Sequence, residues 1–239
     1  GEKLSHSFSK DIHESLGYEY ELKEIAKQDL DSFMLEKNFK AINVTIPYKQ
    51  EVLKYINHLN IKAVEINACN TIVNKDGDLY GYNTDYLGMK KLIEVNKIDI
   101  NNKRVLILGT GGTSNTAYTL MKDLNAKEVI RVSRDPNRRL NIKTITYEKA
   151  YETCADFEVI INTTPVGMYP NNDQSPIDID KFNNLESIID VIYNPIRTKL
   201  VQSGLNKGIK ACGGLYMLVA QAIIASELFF DKCYDDKVY

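Results

Sequence analysis

The sequence predicts an α/β protein whose later half is a parallel sheet covered by helices on both faces, and three observations predict it. Runs of uniformly apolar residues, KRVLILG, EVIRVSR, FEVIINTT and SIIDVIY, alternate with helical patterns such as TSNTAYTLMKDL, and strands look this way when neither face meets water. The first of these strands runs directly into a glycine-rich turn and then a helix. The opening third is built differently, from a strand-to-helix step and a hairpin. A chain of 239 residues with 44% hydrophobic content can bury a core in one large domain or two compact ones.

Composition excludes several classes of function. Thirty basic residues stand against 32 acidic ones, which leaves no general electrostatic pull toward nucleic acid or an anionic membrane. The longest apolar run, LVAQAIIASELFF, is interrupted by Gln221, Ser226 and Glu227 and is too short and polar to cross a bilayer. Cys69, Cys154, Cys212 and Cys233 have no C-x-x-C spacing, and no leader-like segment opens the chain, so a cytoplasmic location is expected. His6, His13 and His58 pair with no cysteine at ligand spacing, and no metal is expected. The chain opens on a turn-like segment without an initiator Met or a leading strand, so further residues are expected before Gly1.

In chain order, KAINVTI (Lys40 to Ile46) predicts a strand, ended by Pro47, which suits the first turn of a helix over QEVLKYINHL. TIV and LYGY flank Asn74-Lys75-Asp76-Gly77-Asp78, where the Asp-Gly step supplies the positive φ of a tight hairpin. Asn83-Thr84-Asp85 offers capping side chains ahead of the helix YLGMKKLIEV, and the polar stretch Asn96 to Asn102 marks a domain junction.

The glycine-rich turn is Gly109-Thr110-Gly111-Gly112-Thr113-Ser114. Glycines let the backbone turn tightly and approach a pyrophosphate, which then sits on the free N–H groups of the helix N-terminus. The flanking strand and helix supply the context that such a motif requires. The next strand ends at Arg134-Asp135, where a dinucleotide fold meets the adenine ribose. Arg134, Arg138 and Arg139 favour the 2′-phosphate of NADP and Asp135 the free hydroxyl of NAD. NADP is expected, with NAD possible, because three guanidinium groups outweigh one carboxylate if they converge.

Lys49 stands in the predicted first helical turn after Pro47, where the helix dipole disfavours a cation, and a lysine placed there invites a role in proton transfer. Asp85 offers either a cap or a catalytic carboxylate. Ser7 and Ser9 flank Phe8, and in an extended segment both hydroxyls face one side and suit a carboxylate ligand.

Taken together, "LSHSFS", "NVTIPYK", "ACNTIV", "GYNTD", "GTGG", "NTTPVGM", "DVIYNP" and "GGLYMLVAQA" resemble the shikimate dehydrogenase family in order and approximate spacing, along nearly the whole chain. The resemblance implies a mixed α/β substrate domain over residues 1–85 plus 216–239. It implies a Rossmann-type, doubly wound NADP domain over 86–215, with the active site in the cleft between and the C-terminal helix returning to the first domain. The implied reaction is reversible NADPH-dependent reduction of 3-dehydroshikimate to shikimate, by a monomer or homodimer. Quinate dehydrogenase, dual quinate/shikimate dehydrogenase and a catalytically silent dinucleotide-binding regulator are the alternatives.

By the same resemblance Lys49 and Asp85 match the catalytic pair. Ser7, Ser9 and Tyr193 bind the substrate carboxylate, and Thr45, Asn70 and Gln221 bind around the ring. Gly109, Thr110, Gly111, Gly112, Ser133, Arg134, Arg138, Thr163, Thr164, Pro165, Gly214 and Met217 line the cofactor. The family often has arginine where this chain has Asn115, asparagine where it has Ser133, and threonine where it has Asp135.

Overall fold

The computed structural model describes residues 1–4, 7–136 and 142–238. The chain divides into two compact units, Gly1–Gly88 with Val219–Tyr239, and Met89–Leu218. Both divisions fall inside helices, α4 (Thr84–Val95) and α8 (Leu215–Phe230), and neither falls in the polar Asn96 to Asn102 stretch.

The first unit carries a four-stranded mixed sheet of β1 (Ala41–Asn43), β2 (His58–Leu59), β3 (Thr71–Lys75) and β4 (Asp78–Tyr82) in the order β1-β3-β4-β2. The hairpin turns at Asp76 and Gly77, both with positive φ (53° and 95°), as the Asp-Gly step requires. Around the sheet lie α1 (Ser9–Ser15), α2 (Leu30–Glu36) and α3 (Ile61–Ile66). Its core gathers Leu30, Met34, Val44, Tyr48, Val52, Cys69, Ile72 and Leu79.

Two sequence expectations fail in this unit. The strand predicted from Lys40 to Ile46 ends at Asn43, because buried Tyr48 turns the chain inward, its N–H on the Thr45 carbonyl and its hydroxyl on the Ile25 carbonyl. The helix predicted over QEVLKYINHL is only a 3-10 turn, Glu51–Tyr55. Beyond it, Asn57 and Asn60 donate their N–H groups to the Leu79 and Gly81 carbonyls. The sheet edge thus takes the backbone bonds that a longer helix needs.

The second unit is a six-stranded parallel sheet: β5 (Arg104–Leu108), β6 (Glu128–Val132), β7 (Thr144–Ile145), β8 (Val159–Asn162), β9 (Ser187–Asp190) and β10 (Lys210–Cys212). The spatial order β10-β9-β8-β5-β6-β7 is that of a doubly wound dinucleotide fold, with its switch point between β5 and β8. Helices α5 (Gly112–Asp123), α6 (Tyr147–Thr153) and α7 (Lys199–Asn206) belong to this unit. Every residue of β8 and β9 is buried, whichever face it occupies, which accounts for their continuous apolar sequences.

His13 in α1 is fully buried, stacked on Tyr20 (4.1 Å between centroids, 3°) and bonded through Nδ1 to the Tyr18 hydroxyl. Burial pushes its pKa from 6.5 down to about 4, so below pH 6.5 the unfolded chain takes up a proton that the folded chain refuses. Unfolding free energy should therefore fall with pH by about 3 kcal/mol on this account between pH 6.5 and 4. Urea unfolding at pH 7 and pH 4 should show that His13→Phe loses less stability on acidification than the parent, by that amount.

Candidate active site

The side chains of Lys49 and Asp85 meet within the first unit. Lys49 Nζ lies 2.5 Å from Asp85 Oδ2, with the side chains 21% and 14% exposed, so the pair is largely shielded yet reachable. Lys49 precedes the 3-10 turn that begins at Glu51 and lies in no α-helix, so the helix-dipole reading of its position does not hold. Its backbone is fixed by Cys69, whose N–H donates to the Lys49 carbonyl (2.8 Å). Asp85, by contrast, stands in the first turn of α4, where the dipole favours a carboxylate.

The start of α4 is over-determined. Asn83 Oδ1 accepts from the Tyr86 N–H (3.1 Å) while Asn83 Nδ2 donates to the Ala68 carbonyl (3.0 Å). Asn70 Oδ1 accepts from the Thr84 N–H (2.7 Å), and Asn70 Nδ2 donates to Thr84 Oγ1 (3.1 Å). Capping thus falls to Asn83 and Asn70, which leaves the Asp85 carboxylate available to Lys49. Thr84 Oγ1 also donates to Gln221 Oε1 (3.4 Å) and lies 3.1 Å from Thr71 Oγ1, so Asn70 and Gln221 share one polar network. Ser7 and Ser9 do not lie in an extended segment: Ser9 opens α1, and its N–H donates to Ser7 Oγ (3.3 Å). Glu2 donates its N–H to the Ile46 carbonyl (3.4 Å), which runs the N-terminal segment beside Thr45.

In the second unit the glycine-rich turn leaves β5 at the switch point. Gly109 has φ 106°, and a Cβ there would lie 2.8 Å from Thr163 Oγ1, so only glycine fits. Over Gly111 and Gly112 a Cβ would meet nothing within 4 Å. That open backbone stands at the N-terminus of a twelve-residue helix, the setting in which helix N–H groups favour an anion. Thr163 Oγ1 donates to the Leu108 carbonyl (2.6 Å), which joins the loop after β8 to the end of β5.

Residues 1–72 match the shikimate dehydrogenase substrate binding domain. The shikimate dehydrogenase (NADP(+)) of Clostridium beijerinckii is 41% identical over 255 aligned residues, covering 100% of this chain and 93% of that protein. The chain belongs to the shikimate dehydrogenase family. Among solved structures, shikimate dehydrogenase 1 from Peptoclostridium difficile superposes with a TM-score of 0.89 at 37% identity (100% and 92% of the two chains). Shikimate 5-dehydrogenase from Thermus thermophilus, in complex with NADP(H) and shikimate, superposes at 0.86 and 27% identity (98% and 93%). These full-length likenesses to the family match the fold of both units.

The remaining residues read by analogy to the family lie in the second unit. Ser133 and Arg134 follow β6, with Ser133 Oγ accepting from the Asp135 N–H (3.1 Å) and Arg134 exposed. Arg138 and Arg139 lie outside the described residues, as does His6. Thr110 lies in the glycine turn, and Thr164 and Pro165 follow β8. Tyr193, past β9, is half-buried, and burial raises its phenol pKa. Gly214 is packed against the backbone of Val191, whose carbonyl oxygen a Cβ would approach to 2.1 Å, and Met217 is buried in α8.

Sequence reasoning missed Arg131 and Asp190. Arg131 is buried in β6 and donates to the Ser114 carbonyl (3.2 Å) and to Asn115 Oδ1 (3.0 Å) at the start of α5. The signal was present: a charge inside an otherwise apolar strand, in EVIRVSR and in SIIDVIY, marks a buried ion with dedicated partners.

Gly109→Ala should destabilise the protein by about 1–3 kcal/mol through strained backbone and contact with Thr163. Gly112→Ala, with open space around it, should unfold at the same urea concentration as the parent.

Proposed function

We propose that this chain catalyses the reversible NADPH-dependent reduction of 3-dehydroshikimate to shikimate, and the contact of Lys49 with Asp85 in a member of this family carries the reading. When bound, NADPH supplies the hydride. The Lys49 ammonium donates a proton to the alkoxide that develops on the ring oxygen, and Asp85 holds that ammonium in place. In the direction of shikimate oxidation the neutral Lys49 amine takes the hydroxyl proton. Ser7, Ser9 and Tyr193 bind the substrate carboxylate, and Thr45, Asn70 and Gln221 its ring substituents.

The cofactor residues fit a dinucleotide. Gly109, Thr110, Gly111 and Gly112 receive the pyrophosphate, the last two on open backbone. Ser133, Arg134 and Arg138 serve the adenosine 2′-phosphate, and Thr163, Thr164, Pro165, Gly214 and Met217 the nicotinamide side. Support for NADP over NAD comes from the relatives named for NADP(+) and from the guanidinium of Arg134. Among the described residues no helix is long and apolar enough to cross a membrane. The four free thiols suit the reducing cytoplasm, where we place the enzyme.

The test is NADPH absorbance with shikimate and quinate, each with NADP and NAD. Shikimate with NADP should give the highest kcat/KM, and absence of turnover with shikimate refutes the reading. Lys49→Ala should lower kcat by roughly 10² to 10⁴ with little change in shikimate KM. Near-normal turnover in that variant removes Lys49 from the chemistry.

A further inference from the structure

The Asp190 carboxylate is wholly buried at the carboxyl edge of the parallel sheet. Leu108, Asn162 and Asp190 stand in register across β5, β8 and β9. Asp190 Oδ1 accepts from Asn162 Nδ2 (3.0 Å) and from the Ile192 N–H (3.1 Å), and Oδ2 accepts from Thr198 Oγ1 (2.6 Å). Asn162 passes the constraint on, because its Oδ1 accepts from the Thr164 N–H (3.0 Å) and from Thr164 Oγ1 (2.7 Å). Thr164 Oγ1 in turn accepts from the Val166 N–H (3.3 Å).

We propose that Asp190 is a positioning residue for the cofactor loop: acting through Asn162, its carboxylate holds Thr163-Thr164-Pro165 in the shape that receives the nicotinamide dinucleotide. The proposal rests on the cofactor reading above. An anion is costly here. Burial raises the Asp190 carboxyl to about 6 despite three hydrogen bonds that favour the charged form, and the Cys212 thiol is pushed up to about 12 by burial and by this carboxylate. A simple brace for the start of α7 does not need that cost, because Thr198 already caps the helix by accepting from the Val201 N–H. The carboxylate joins both jobs in one side chain: Oδ1 serves Asn162 and the Ile192 amide, and Oδ2 serves the α7 cap at Thr198.

NADPH binding is measured by fluorescence titration, beside urea unfolding, in the parent and in Asp190→Ala, Asp190→Asn and Thr198→Val. Asp190→Ala should weaken NADPH binding about tenfold or more, the size expected for a lost charge-assisted bond. Asp190→Asn, whose Oδ1 still accepts from Asn162 and Ile192, should stay within about threefold of the parent. Thr198→Val should lower stability and leave NADPH binding within the same range. If Asp190→Ala does not fold, Asn162→Ala, which removes both the donor to Asp190 and the acceptor for Thr164, should show the same loss.

Unchanged NADPH binding in whichever of these two variants folds overturns the proposal, and so does a Thr198→Val loss equal to that of Asp190→Ala, since both mean that the carboxylate only braces α7. A parent that does not bind NADPH overturns the cofactor reading itself, and this proposal with it.

Discussion

The ion pair between Lys49 and Asp85 sets the terms for the first unit, because two charges 36 residues apart, one in the loop after β1 and one at the start of α4, must arrive at one point. Removing water from such a pair is costly, and the attraction repays it only when the geometry is accurate. Accuracy here comes from the backbone. Cys69, at the entry to β3, holds the Lys49 carbonyl, and the next residue, Asn70, holds the first amide of α4. One short segment therefore places both partners, and the buried amides of Asn70 and Asn83 do for the site what core packing does for the fold.

The second unit solves a different electrostatic problem. Its glycine turn leaves open space over Gly111 and Gly112 at a helix N-terminus, a setting that favours an anion, with no charged side chain in the turn itself. The buried guanidinium of Arg131 instead fixes the first turn of α5, donating to the Ser114 carbonyl and to Asn115 Oδ1. Where the family often carries arginine in the loop, this chain has an asparagine bonded to an arginine of the adjacent strand.

The central strands were legible because burial on both faces leaves a mark that no other element imitates: KRVLILG, FEVIINTT and SIIDVIY are strands where the sequence places them. The edges were not. Thr144–Ile145 and Lys210–Cys212 are two and three residues long, too short for any period to show. QEVLKYINHL has helical spacing, yet its later half pairs with a sheet edge formed more than twenty residues away, a long-range contact that local pattern cannot carry. At the site, Asn83-Thr84-Asp85 was ambiguous between cap and catalyst because all three residue types can cap. Only coordinates show that Asn83 takes the cap and that Asn70 occupies the Thr84 amide. Asp190 was visible as a charge in an apolar run, but its partners come from β8 and α7, which the sequence does not bring together.

Gly213 and Gly214 carry a further consequence. A methyl group on Gly214 would lie 2.1 Å from a main-chain oxygen of Val191, and one on Gly213 would lie 2.6 Å from that of Ile196; neither obstacle can rotate aside as a side chain can. The two positions are therefore closed to mutational drift. A side chain at either position requires the main chain after β9 to move as a whole, so the bend between β10 and α8 is written into the sequence as two consecutive glycines.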